Sequence, residues 1–146
     1  MFDDEIREAR ARVKARASSP KPRQHKGQPK WYAGVLFDSG NEASWAKRFD
    51  KEPYVWEFHG RDPVGIHLGG ELHYKIDFWL PTFGYWLEIK PGGRDPRDEL
   101  LKYRIMRRKV RAGELPGRDV LLIVGGPSSR NGGYFLNRLR REAAER

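Results

Sequence analysis

The stretch His73–Gly93, HYKIDFWLPTFGYWLEIKPGG, decides how this chain folds. Two runs rich in aromatic and β-branched residues flank PTFG, so the segment reads as strands at about Leu72–Leu80 and Tyr85–Lys90 joined by a tight hairpin turn. Side chains alternate faces along a strand. Tyr74, Ile76, Phe78 and Leu80 then share one uninterrupted core face, and Lys75, Asp77 and Trp79 share the other. On the second strand Tyr85, Leu87 and Ile89 point one way, and Trp86, Glu88 and Lys90 the other. Charges inside a strand are costly unless they are paired, bound to metal or used.

Across the hairpin, Asp77 and Glu88 fall near each other on one face. Two carboxylates held together repel, and one is pushed toward its protonated form unless a cation lies between them. Such an oxygen-lined pocket suits Mg²⁺, with Mn²⁺ as a substitute, and the backbone carbonyl of Ile89 would add a third donor. Lys90 would orient or deprotonate a water, or hold charge on a phosphate. The competing reading is a solvated ion pair of Lys90 with Asp77 or Glu88.

Working outward, FDSGNEASWAKRF predicts a helix over Asn41–Phe49 with Trp45, Ala46 and Phe49 inward. Ser39 and Glu42 fit a capping box. Glu42 also precedes Ala46 and Phe49 by four and seven residues, which aims it at the sheet as a candidate metal ligand. YVWEF (Tyr54–Phe58) reads as a strand and Gly60–Gly70 as a Gly/Pro-rich connection. Tyr103, Met106 and Val110 recur at helical spacing within Asp98–Arg111, where Arg104, Arg107, Arg108 and Arg111 form a basic stripe. VLLIV (Val120–Val124) reads as a buried strand, and Gly133–Arg146 as a basic helix. At the N-terminus, Asp3–Ala17 reads as a thinly amphipathic helix, followed by a Pro/Lys/Gln-rich linker. The expected organisation is a basic arm over 1–30, a core over 31–127 and a basic helix over 128–146.

Composition narrows the partner. The 146 residues carry 29 Lys and Arg against 20 acids, a net +9, which points to nucleic acid. With no cysteine, disulfides, thiolate zinc sites and cysteine nucleophiles are excluded. No apolar run approaches membrane-span length, and MFDDEIREARARVKARASSP has no apolar segment of the secretory kind, so the expected compartment is the cytoplasm. His59, His67 and His73 match no zinc-ligand spacing, and Gly125-Gly126 lacks the Lys-Ser/Thr of a phosphate-binding loop. Trp79 and Trp86 fall on the face of the acids, for packing or for stacking on a base.

A helix glutamate, then an aspartate, then Glu-x-Lys, in an αβββαβ order from Val35 to about Pro127, resembles the PD-(D/E)XK nuclease superfamily. The texture is similar to small phage and actinobacterial nucleases and to phage endonuclease I-type Holliday-junction resolvases. Ile76 stands where the superfamily has proline. The resemblance implies an α/β, restriction-endonuclease-like αβββαβ core with a mixed central sheet flanked by helices. It implies Glu42, Asp77 and Glu88 as ligands of Mg²⁺ and Lys90 as the catalytic lysine. The expected activity is a DNA endonuclease, with branched DNA as a candidate substrate, a homodimeric state, and a host-cell cytoplasmic location if the chain is phage-encoded. No membrane and no small-molecule cofactor enter this reading. Lys14, Lys26, Arg138 and Arg140, with the Arg104–Arg111 stripe, are the expected phosphate contacts. The alternatives are a general nicking or double-strand endonuclease and, from another class, a non-catalytic basic DNA-binding module.

Overall fold

In the computed structural model, residues 28–91 and 97–146 are described, with backbone only for 97–99. The predicted N-terminal helix, Lys14 and Lys26 lie outside the described residues.

Among the described residues, eight strands and three helices follow one another: β1 (Lys30–Tyr32), β2 (Val35–Phe37), α1 (Gly40–Lys51), β3 (Glu57–Phe58), β4 (Ile66–Gly69), β5 (Leu72–Tyr74), β6 (Phe78–Leu80), β7 (Tyr85–Lys90), α2 (Arg97–Arg111), β8 (Asp119–Val124) and α3 (Arg130–Ala144). Four of the strands form a mixed sheet in the order β3-β6-β7-β8. β6 pairs antiparallel with both β3 and β7, while β7 and β8 are parallel, with α2 in the crossover. The molecule is therefore α/β. β1–β2 and β4–β5 are separate two-stranded hairpins. The Gly60–Gly70 segment is thus more than a connection, since it contributes β4, and the Tyr54–Phe58 strand shrinks to its last two residues.

Both faces of β7 are covered, because alternate residues feed two cores. Tyr85, Leu87 and Ile89 join Ala43, Trp45, Ala46 and Phe49 of α1 and Phe135, Leu136 and Leu139 of α3. Trp86 joins Leu101, Ile105, Met106 and Val110 of α2 and Leu68 and Leu72 of the β4–β5 hairpin. Period-two alternation in the central strand and an i, i+3/i+4 stripe on each helix generate this sandwich directly. The C-terminal segment, expected as an appended basic helix, puts its apolar side into the first core. Gly132 lets α3 seat there: a Cβ at this position would stand 2.2 Å from the Gly126 carbonyl oxygen.

The opening stretch departs from its expected form at one place. Leu72–Leu80 is not one strand. β5 ends at Tyr74, β6 starts at Phe78, and the two belong to different sheets. Tyr74 and Ile76 pack on the α2 side, while Phe78 and Leu80 pack on the α1/α3 side. The single apolar face is therefore split across Lys75–Asp77, where the chain turns over and exchanges one core for the other.

Candidate active site

The turnover point is where the acids sit. Phe78 pairs with Leu87 in the last ladder step of β6–β7, so Asp77 and Glu88 fall opposite each other just beyond it. There the side chain replaces the ladder: Asp77 Oδ2 accepts the Ile89 N–H at 2.7 Å. On its other side the Asp77 carbonyl accepts the His59 N–H at 2.7 Å. Asp77 is thereby fixed between β3 and β7 at the open end of the sheet. The Ile89 group in contact with Asp77 is its N–H; its carbonyl, the expected metal donor, is a separate group of the same residue.

Asp77 is 6% exposed and Glu88 is 5% exposed. Glu88 accepts the Tyr74 hydroxyl at 2.6 Å and lies 2.9 Å from the Lys90 ammonium. The ion-pair reading is correct in its geometry and wrong in its setting, for the Lys90 side chain is itself only 12% exposed. Burying such a pair costs several kcal/mol per ion before any attraction is counted.

Glu42 enters from α1. Ser39 caps the helix, and its hydroxyl accepts the Glu42 N–H while a Glu42 carboxylate oxygen accepts the Ser39 N–H at 3.2 Å. The capping box is formed, and the same carboxylate reaches the site electrostatically. Burial, then Asp38, then, after the Ser39 and Asp38 backbone bonds that oppose it, Glu88 push Glu42 from its ordinary 4.5 to about 7. Asp77 is held well above the usual range by burial first, then by Glu88 and Glu42. Three acids thus lie close enough to perturb one another, with one lysine among them.

As donors, these carboxylate oxygens are of the kind that hard divalent cations take, and three acids against one lysine leave negative charge for a cation to neutralise. Among the described residues, however, no three His, Asp or Glu side chains are already gathered as a metal cage. Ile89, Tyr74, Lys90 and Ser39 each hold a carboxylate oxygen instead.

Two neighbours escaped sequence reading. By alternation Tyr74 belongs to a plain core face; its hydroxyl reaches Glu88 only because the chain turns over at Lys75–Asp77. Asp38 lies beside Glu42 and is itself held by Arg61 at 2.9 Å. The signal for Asp38 was present in DSGNE, one residue before the cap.

Trp86 is buried, packs on Trp79 with ring centroids 4.5 Å apart, and donates to the Pro116 carbonyl at 2.7 Å. It is a packing residue with no free face for a base. His67 and His73 are cross-strand partners in the β4–β5 hairpin, and the His59 ring meets Trp86 edge-on.

The expected phosphate contacts divide. Arg104 and Arg108 are exposed on α2. Arg107 and Arg111 both hold Asp119, the latter with two nitrogens at 2.9 Å. Arg140 grips Glu52 at the end of α1, and Arg138 pairs with Glu142 and Tyr85. These four arginines are engaged in tying elements together, so the stripe read from sequence is only partly available to a partner. Alternation along the helix cannot reveal which arginines meet an acid from another element.

Comparison with family models, with curated proteins and with solved structures finds no match. No helix among the described residues is long and apolar enough to cross a membrane.

Proposed function

We propose that the protein is a Mg²⁺-dependent DNA endonuclease with Asp77, Glu88, Glu42 and Lys90 at its active site, in a restriction-endonuclease-like core. One observation carries the reading: two carboxylates more than nine-tenths buried meet a largely buried lysine where β6 and β7 part, within electrostatic reach of Glu42. Replacing a buried charged set with apolar residues of like volume is commonly neutral or stabilising, so its presence asks for a task. The order α1, β3, β6, β7, α2, β8 also supports the αβββαβ core.

Asp77 and Glu88 would hold the metal, with Glu42 joining when it releases the Ser39 N–H. Bound there, the ion would supply charge neutralisation at the scissile phosphate and a more acidic water. Lys90, held against Glu88, is placed to orient the attacking water and to stabilise charge gathering on a phosphoryl oxygen. Tyr74 orients Glu88 by donating its hydroxyl to it. The net +9 and the exposed Arg104 and Arg108 favour a polyanionic substrate.

The test is incubation of supercoiled plasmid, linear duplex and a four-way junction with Mg²⁺ or with EDTA. Metal-dependent cutting that falls by at least ~10² in Lys90→Met and Glu88→Gln is expected. Paired symmetric nicks on the junction alone would favour a resolvase, and cutting of plain duplex a general endonuclease. Retardation of DNA without cutting of any substrate would leave a non-catalytic binding module and end the nuclease reading.

A further inference from the structure

A groove of about 530 Å³ runs between α1 and the turn that follows β8. Its α1 wall carries Ser44, Lys47, Arg48 and Lys51, and its opposite wall includes Ser128 and Ser129. No acid lines it. Lys47 meets the Tyr32 ring at 5.6 Å, and Arg48 and Lys51 act on Glu52 only at longer range, that carboxylate being gripped by Arg140. That contrasts with Arg107, Arg111, Arg138 and Arg140, each committed to an acid. Three cations gathered on one helix face repel one another unless an anion lies among them.

The groove is also attached to the candidate active site. The Gly125 N–H donates to the Lys90 carbonyl at 2.7 Å, and the Gly125 carbonyl accepts from Trp45 Nε1 at 3.0 Å and Asn41 Nδ2 at 3.4 Å. The turn that forms one wall therefore begins at the end of β8, hydrogen-bonded to the neighbouring end of β7 that bears Lys90. The other wall begins at Asn41, one residue before Glu42.

We infer that this groove is the track for one DNA strand leaving the active site, with Lys47, Arg48 and Lys51 neutralising successive phosphates. The length agrees. From Asn41 to Lys51 the helix rises about 15 Å, and one strand of duplex advances about 3.4 Å per nucleotide, so the wall spans roughly four nucleotides. Hydroxyls and cations without base-reading partners give affinity without sequence preference. The identity of the polyanion as DNA rests on the nuclease reading; the groove's affinity for a phosphate chain does not.

Binding is measured in EDTA, where no cutting occurs, by fluorescence anisotropy of a labelled 20-base-pair duplex across a salt series. The triple variant K47Q/R48Q/K51Q should weaken binding about 10- to 100-fold at low salt and flatten the logarithmic salt slope by about 2 to 3. A second variant, Ser44→Glu, puts a carboxylate into the track at an exposed position, giving up only the Ser44 hydroxyl's bond to the Gly40 carbonyl, and should also weaken binding at least about tenfold. The matched control R118Q/R141Q/R146Q removes the same charge. Two of its arginines, Arg118 and Arg146, stand over Tyr85 and Phe83 at the far end of β7. It should change the slope by clearly less. If both triples act equally, or the groove variants bind as wild type does, the track is refuted whether or not the enzyme cuts. Groove-dependent binding by a protein that cuts nothing would uphold the track and defeat the nuclease reading alone.

Discussion

Replacing Glu42 by glutamine should make the metal-free protein more stable at neutral pH, although it removes a residue of the proposed active site. The exchange is clean because glutamine serves the third position of a capping box as glutamate does, so the Ser39 N–H keeps its acceptor. Only the charge is lost. Burial, Asp38 and Glu88 push Glu42 from 4.5 to about 7. An acid whose folded pKa is raised binds its proton more tightly in the native state. Its contribution is therefore neutral below about pH 4.5 and becomes a growing penalty as pH rises to about 7, where it levels off. At 1.36 kcal/mol per tenfold change in acidity, that ceiling is about 3 kcal/mol, and partial solvent access brings it to about 1–3 kcal/mol. Urea unfolding in EDTA at pH 4 and pH 8 measures it. Glu42→Gln should match wild type near pH 4 and exceed it by about 1–3 kcal/mol at pH 8. Mg²⁺ should then close the gap by stabilising wild type, by about 2.7 kcal/mol at a hundredfold excess over its dissociation constant. A variant that is no more stable than wild type at pH 8 would refute the charge-crowding argument. So would a Mg²⁺ response that survives the substitution unchanged.

Tyr74→Phe deletes the 2.6 Å bond to Glu88, and should cost about 1.5–3 kcal/mol of stability in urea unfolding and lower metal-dependent cleavage, because Glu88 loses the donor that orients it. Lost stability with unchanged cleavage would reduce Tyr74 to packing. Gly132→Ala drives a Cβ onto the Gly126 carbonyl oxygen at 2.2 Å, and should destabilise by about 1–3 kcal/mol in thermal unfolding. An unchanged melting temperature would mean that α3 does not depend on this close approach.

The helices and the central hairpin were readable because their signals are local. Trp45, Ala46 and Phe49 on α1, and Tyr103, Met106 and Val110 on α2, show their inward faces at helical spacing and are buried as expected. Tyr85–Lys90 alternates as expected, with the residues on each parity in different cores. What stayed hidden depends on partners distant in sequence. Nothing in IHLG distinguishes β4 from a loop until it meets LHY across a bulged hairpin. Arg111 and Asp119, or Arg140 and Glu52, meet only once the helices dock. Lys47, Arg48 and Lys51 look in sequence like any solvated helix face and become a groove only when the turn after β8 closes over them.

The break at Asp77 binds fold and chemistry together. A continuous strand from Leu72 to Leu80 would place Tyr74 on the Phe78 side of the sheet, away from Glu88, and would give the Ile89 N–H a backbone partner instead of the Asp77 carboxylate. By turning over at Lys75–Asp77, the chain brings a core tyrosine to the buried glutamate and leaves the end of the ladder open. A peptide N–H freed in that way must find another acceptor or bear the cost of burial without one. Asp77 supplies that acceptor, and its carboxylate is electrostatically coupled to Glu88 and Glu42. The same residue therefore ends β6–β7 pairing and begins the carboxylate cluster. An Asp77→Asn variant would keep a side-chain acceptor for the Ile89 N–H while removing the charge. Retained fold with lost metal response separates the structural role of this residue from its chemical one.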